Sequence, residues 1–295
     1  MTHASETAEP ILLVVNPISG DIDKSELIRR VEQTVGSRQP LKIYTTTGSD
    51  DQAQIADLLN TFPARRVLVA GGDGTIKMMA EVLRDQKTPL GILPTGSANG
   101  LARSLDLPVN LEEALDVATG NHFQDMDALC INNELCLHIS DLGLNAELIR
   151  NYESGNVRGK IGYILQSIPT LVGSDMPFTF EVIVGDRTFH RQGILLAIAN
   201  AQKYGTGATI NPDSRIDDGK FEILVFKKLN VVDIAKTLQE EVQLGDDFME
   251  SISVTQAEIR CQQPVPFQID GEYYGEVKQV DAKILPRHLK IAVAG

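Results

Sequence analysis

Between Ile11 and Gly120 the chain alternates two hydrophobic periods, and few architectures accommodate that alternation. Ile11–Val15 is a continuous apolar run, the pattern of a parallel strand buried on both faces. Leu27, Ile28, Val31 and Val35 then mark one face of a helix over 24–35. Leu41–Tyr44 reads as a second strand, and Ile55, Leu58, Leu59 and Phe62 recur at i, i+3, i+4 and i+7. Val67–Ala70 is a third strand, followed by helical spacing at Ile76, Met79, Ala80 and Leu83. Leu90–Leu93 is a fourth strand. Leu111, Ala114, Leu115 and Ala118 mark a last helix, with Asn110 and Glu113 as cap and capping partner and Gly120 as its stop. Strand and helix in strict turn predict an open parallel sheet covered by helices.

After residue 123 the pattern becomes β-rich. Phe178–Val184, a Gly185-Asp186 turn and Arg187–Ala199 read as a hairpin. Phe221–Phe226, Ser251–Arg260, Val265–Ile269 and Val277–Leu285 read as further strands, with helices expected near 159–172 and 231–244. The expected division is an α/β domain over 1–122 and a β-rich, sandwich-like domain over 123–285. The last segment, 286–295 with its apolar run Leu289–Val293, fits a return to the first domain. Hydrophobic residues make up 42%, enough for an ordinary core in both.

Composition narrows the function. The formal charge of −13, from 27 basic and 40 acidic side chains, is repelled by nucleic acid, so no nucleic-acid partner is expected. Cys130, Cys136 and Cys261 are odd in number and lack CxxC spacing, which argues against a disulfide framework or a zinc site. Met1–Pro10 is polar, and no run approaches the ~18 apolar residues of a membrane span. A cytoplasmic protein is expected, with any membrane contact peripheral.

Three loops at the carboxyl ends of adjacent strands carry the chemistry. Gly71-Gly72-Asp73-Gly74-Thr75 lies between a buried strand and an amphipathic helix. Glycines there let the backbone approach a phosphate, and the helix start adds partial positive charge. Asp73 could act through Mg²⁺ or bond backbone amides. No Gly-Lys-Ser/Thr follows, so this is not a Walker A loop. Thr95-Gly96-Ser97-Ala98-Asn99-Gly100 follows the next strand, and Asn16-Pro17-Ile18-Ser19-Gly20 follows the first. Each alone could be a plain turn; together they sit at the edge where open α/β sheets bind ligands.

The set Asn16-Pro17-x-Ser19-Gly20, Gly71 to Thr75 and Gly96-Ser97-Ala98-Asn99 resembles the diacylglycerol kinase catalytic-domain family, which includes soluble bacterial lipid kinases and the sphingosine and ceramide kinases. Ser214–Lys220, with Asp217-Asp218-Gly219, resembles its structural Mg²⁺ segment, and Asp270-Gly271-Glu272 its catalytic Asp-Gly-Glu. The resemblance implies ATP as co-substrate, Mg²⁺, a lipid alcohol met at a membrane surface, and a two-domain fold like that of NAD kinases and diacylglycerol kinases. Asn16, Ser19, Gly20, Thr46, Gly71 to Thr75, Gly96, Ser97 and Asn99 would line the nucleotide. Asp218 would bind Mg²⁺ with the backbone carbonyls of Arg215 and Lys220. The oligomeric state stays open, a homodimer included.

Two departures stand out. Ile76-Lys77-Met78 occupies positions where family members often carry Asn-Glu soon after the Thr, and Gly100 replaces the Asp of the commoner second loop. The implied chemistry is phosphoryl transfer from ATP to a lipid hydroxyl, most simply diacylglycerol to phosphatidic acid. Asp270 would be the base, with Glu272 the other candidate, the two sharing a face if their segment is an extended strand. Asp-Gly is also a strong turn pair. Gly159–Val172 could dock on a membrane or simply pack in the core. The competing readings are an NAD kinase-like enzyme of soluble metabolites and a non-catalytic nucleotide- or lipid-binding regulator.

Overall fold

Four short parallel strands and the helices between them, joined by the end of a later strand, build the first of two units. The computed structural model describes residues 9–20, 22–84, 86–153, 177–200, 203–204, 208–209, 214–227 and 248–295. The expected helices near 159–172 and 231–244 lie outside the described residues. The chain divides into unit 1, Met1–Met126 with Arg287–Gly295, and unit 2, Asp127–Pro286.

In unit 1, β1 (Ile11–Val15), β2 (Leu41–Thr45), β3 (Arg66–Gly71) and β4 (Leu90–Pro94) are parallel in the order β4-β3-β1-β2. β1, β3 and β4 are buried throughout, which is why their sequences are continuous apolar runs rather than alternating ones. The helices are α1 (Lys24–Val31), α2 (Asp51–Thr61), α3 (Asp73–Val82), the five-residue α4 (Gly100–Ser104) and α5 (Leu111–Thr119). The expected helix over 24–35 is α-helical only to Val31 and closes as a π-helical turn, Glu32–Gly36. Asn110 caps α5 by accepting from the N–H groups of Glu112 and Glu113, and Gly120 ends it. Leu13, Leu27, Val31, Leu68, Leu93 and Leu115 belong to one core cluster, packed from both strands and helices.

Unit 2 is β-rich. It contains most of β5 (Phe123–Ile131), then β6 (Glu134–Cys136), β7 (Ile139–Gly143) and the helix α6 (Leu144–Glu153). β8 (Phe178–Val184) and β9 (Arg187–Gly193) form the expected hairpin, with Gly185 at φ 57° in its turn. β10 (Leu195–Ala199) is a separate strand, pairing with β7 and with β13 (Phe221–Phe226). Two-residue strands β11 (Lys203–Tyr204) and β12 (Ala208–Thr209) pair with each other. β14 (Met249–Val254) borders β13, and β15 (Gln256–Ile269) pairs with β7, β8 and β16 (Glu272–Ala292).

The expected strand Ser251–Arg260 is therefore split at Thr255, and the expected Val265–Ile269 and Val277–Leu285 are parts of much longer strands. The last residues of β16 belong to unit 1, where Ile291 pairs in parallel with Leu90 of β4. Phe180, Phe221, Ile259 and Phe267 centre the unit 2 core. Among the described residues no helix is long and apolar enough to cross a membrane.

Candidate active site

In unit 1 the carboxyl ends of β1, β2, β3 and β4 each lead into a loop, and the four loops border a cleft of about 480 Å³. Pockets for small molecules run about 300–1,000 Å³, so a nucleotide is of suitable size. Asn16, Ser19 and Gly20 line it from the β1 loop, and Thr46 from the β2 loop. Gly72, Gly74 and Thr75 line it from the β3 loop, and Gly96 and Ser97 from the β4 loop.

The loops are bonded to one another. Asn16 Nδ2 donates to Thr75 Oγ1 at 3.0 Å, and the hydroxyls of Ser19 and Thr95 meet at 3.0 Å. Two glycines allow this closeness. A Cβ on Gly20, which has φ 55°, would run into the Thr95 carbonyl, and a Cβ on Gly96 would run into the Gly72 Cα. The glycines were expected to admit a phosphate; they also admit neighbouring backbone.

Gly71, Asp73 and Asn99 are not wall residues. Asp73 turns its carboxylate to the start of α4, accepting from Gly100 N at 2.9 Å and Leu101 N at 3.0 Å. Asn99, at φ 52°, closes its own loop: Oδ1 accepts from Gly96 N and Nδ2 donates to Gly96 O, each at 2.8 Å. Position 71 must be glycine because a Cβ there would lie 2.5 Å from Thr75 Cβ.

Sequence reasoning missed Thr47, Gly48, Asp51 and Met78 on the wall. Asp51 is 8% exposed. Its Oδ1 accepts from Thr47 N at 2.8 Å and Tyr44 Oη at 2.7 Å, and its Oδ2 from Gly48 N at 2.8 Å. Burial works to raise the Asp51 pKa, but the Thr47 N–H, the Tyr44 hydroxyl, the Gly48 N–H and the Thr47 hydroxyl together hold it below the usual value. Tyr44 is pushed up to about 12 by desolvation and by the carboxylate it bonds. The available signal was a polar Asp at the start of a helix beside a glycine loop.

In unit 2, Asp270 and Gly271 form the two-residue turn between β15 and β16, with φ 51° and 88°. Both are left-handed, as a tight hairpin of this kind requires. The extended-strand geometry that would have put Asp270 and Glu272 on one face is therefore absent; Asp-Gly acts here as the turn pair. Asp270 Oδ2 accepts from Leu137 N at 3.0 Å, and Oδ1 from His138 N at 2.9 Å and Ile139 N at 3.3 Å. Behind the turn, Gly271 N donates to Gln268 Oε1 at 2.7 Å, and Gln268 Nε2 donates to the fully buried Asp141 at 2.5 Å. Glu272 is exposed at the first position of β16.

The Ser214–Lys220 segment is held from β5. Asp127, fully buried, accepts from Gly219 N through Oδ2 at 2.6 Å, and its own N–H donates to Ile216 O at 2.7 Å. Asp218 is exposed, with Lys220 N bonded to Oδ1 at 3.0 Å. Among the described residues no group of three or more His, Cys, Asp or Glu forms a metal cage. The candidate donors on this loop, one carboxylate and two backbone carbonyls, are oxygens, the chemistry that Mg²⁺ takes with water completing its shell.

Comparison with known proteins bears on this arrangement directly. The diacylglycerol kinase catalytic domain matches residues 10–131, and the YegS C-terminal NAD kinase beta sandwich-like domain matches residues 141–293. The chain belongs to the diacylglycerol kinase catalytic-domain family. Diacylglycerol kinase of Bacillus subtilis strain 168 is 23% identical over 272 residues, covering 89% of each chain. The probable lipid kinase YegS-like of Chromohalobacter salexigens is 26% identical over 262 residues, covering 84% of each. A crystal structure of a diacylglycerol kinase from Bacillus anthracis superposes with a TM-score of 0.77 at 18% identity, covering 97% of each chain, and supports the fold.

As a member of this diacylglycerol kinase family, the chain is a kinase that uses ATP, in a lipid kinase framework. Its departures now have positions. Met78 puts a thioether on the cleft wall, and Gly100 offers Asp73 a backbone N–H.

Proposed function

We propose that this kinase transfers the γ-phosphoryl group of ATP to the hydroxyl of a lipid alcohol, with diacylglycerol as acceptor and phosphatidic acid as product. The observation that carries the nucleotide half is the cleft itself. Three of the four loops interlock through Gly20, Gly72 and Gly96 at the N-terminus of α3, where helix-start N–H groups favour phosphate. Thr75 and Ser97 add hydroxyls to that wall.

In the reaction, the bond between the γ-phosphorus and the oxygen bridging it to ADP breaks, and a bond to the lipid oxygen forms. The hydroxyl proton passes to a carboxylate. Asp270 is our assignment for that base, its orientation set by the amides of Leu137, His138 and Ile139. Glu272, exposed two residues on, is the other candidate for the base. Mg²⁺, when bound, neutralises phosphate charge. Asp218, with the carbonyls of Arg215 and Lys220, would hold a Mg²⁺ ion in its loop. The acceptor is met at a bilayer surface by peripheral contact; Gly159–Val172, the candidate docking segment, lies outside the described residues.

The test is a panel with labelled ATP: diacylglycerol, a sphingoid base, phosphatidylglycerol, and NAD as the soluble control. Labelled phosphatidic acid is the expected product. Labelling of NAD alone, or of nothing despite tight ATP binding, would overturn the proposal in favour of a soluble-metabolite kinase or a regulator.

A further inference from the structure

Two of the helices in unit 1 begin on the wall of the cleft, and their starts are electrically different. α3 opens beside Gly72 and Gly74 without a side-chain cap, and its first residue, Asp73, spends its carboxylate on the Gly100 and Leu101 amides. α2 begins at Asp51, whose buried carboxylate is part of the wall. An anion in the first turn offsets the partial positive charge of a helix start. Both helices carry an Asp in the first turn, but Asp51 is on the cleft wall whereas Asp73 is turned to α4, so a phosphate in the cleft meets a facing carboxylate at α2 and not at α3.

The same carboxylate holds the loop between β2 and α2. That loop contains Gly48 at φ 83°, which glycine adopts freely, and Asp50 at φ 55°, a conformation that needs support from its surroundings. Support comes from the Asp51 bonds to Thr47 N and Gly48 N, while Tyr44 Oη, on β2, anchors the carboxylate from below. Thr46, Thr47 and Gly48 all line the cleft.

We propose that Asp51, braced by Tyr44, is a positioning residue. It holds the β2–α2 loop as the nucleoside end of the cleft and so sets the direction in which a nucleotide lies, phosphates toward α3. This inference rests on the ATP-dependent reading above.

The experiment compares wild type, D51N and Y44F for binding of ATP and of inorganic tripolyphosphate, for steady-state KM and kcat, and for amide hydrogen exchange at Thr47 and Gly48. D51N is expected to weaken ATP binding about tenfold, by loss of charge-assisted bonds. It should leave tripolyphosphate within about twofold, because the phosphate contacts lie elsewhere. KM for ATP should rise with kcat nearly unchanged, and the Thr47 and Gly48 amides should exchange faster. Y44F keeps the ring and loses one donor, so it should show the same pattern at about two- to threefold, and it reads the clamp even if D51N does not fold. Equal losses for ATP and tripolyphosphate, unchanged ATP binding in both variants, or a fall in kcat at constant KM would overturn the clamp. Failure of the wild type to bind ATP would instead remove the nucleotide reading, and this inference with it.

Discussion

Single residues in the cleft separate two costs that a glycine can avoid. Gly48 has φ 83° with nothing within 4 Å of an added Cβ, whereas Gly20 has φ 55° and the Thr95 carbonyl in the way. Gly48→Ala should therefore cost about 1 kcal/mol of backbone strain alone and weaken ATP binding less than Gly20→Ala does. Gly20→Ala adds a collision with backbone that cannot swing aside; it should lower Tm further and abolish measurable ATP binding. Isothermal titration beside thermal melts would check both, and equal behaviour of the two variants would refute the loop-contact argument. At Asp270 the bonds from Leu137, His138 and Ile139 make a different prediction. Asp270→Asn should reduce kcat by about 10²–10⁴-fold while ATP binding stays intact. Near-normal turnover in a steady-state assay would end the assignment of Asp270 as base.

At the scale of elements, the pairing of β2 with the start of α2 should leave a mark on stability. The folded Asp51 pKa is depressed, so its contribution is complete above the ordinary carboxylate range and is lost as pH falls through the folded value. The folded Tyr44 pKa is raised to about 12, so its contribution is complete below the ordinary tyrosine value of about 10 and fades as pH climbs toward 12. Urea unfolding of wild type against Tyr44→Phe should show a constant stability gap near neutrality that narrows above pH about 10. A gap independent of pH would contradict the bond.

The same scale shows what could be read from the chain. β1, β3 and β4 were legible because strands buried on both faces must be apolar throughout, and α5 because Asn110 and Gly120 mark its ends. β5, β6 and α6 were not, because they are short or only partly buried elements joined by tight turns such as Asn132-Asn133, both at positive φ, and β7 was not because its buried residues include Ser140 and Asp141 rather than an apolar run. The continuity of β15 was hidden by Pro264, which lies within the first register shift, and by Pro266, which lies between the first and the second. At the cleft, the glycines and hydroxyls of the wall were legible by type, but the roles of Asp73 and Asn99 as loop braces depend on partners that sequence spacing does not reveal.

For the whole molecule, unit 1 is assembled from two stretches of chain, Met1–Met126 and Arg287–Gly295. Phe123 is contacted by cations from both stretches, with the Arg66 guanidinium carbon and Lys290 Nζ each 5.2 Å from its ring centre. Val293 N also donates to His122 O at 3.0 Å. A fragment ending at residue 126 lacks the strand that pairs with β4 and should be aggregation-prone. Adding a peptide of residues 287–295 should restore a monomeric, ATP-binding species by size-exclusion chromatography and titration. A fragment already monomeric and fully active in binding would show the return to be dispensable.

β16 also carries a kinetic consequence. Because the residues of β16 that pair with β4 follow residues 127–286 in the chain, the sheet of unit 1 stays unfinished until that β-rich stretch has been made, and the stretch, being continuous, can mature beforehand. Nascent chains stalled just before Arg287 would thus carry an ordered β-rich half upstream of which the sheet of unit 1 has not yet closed.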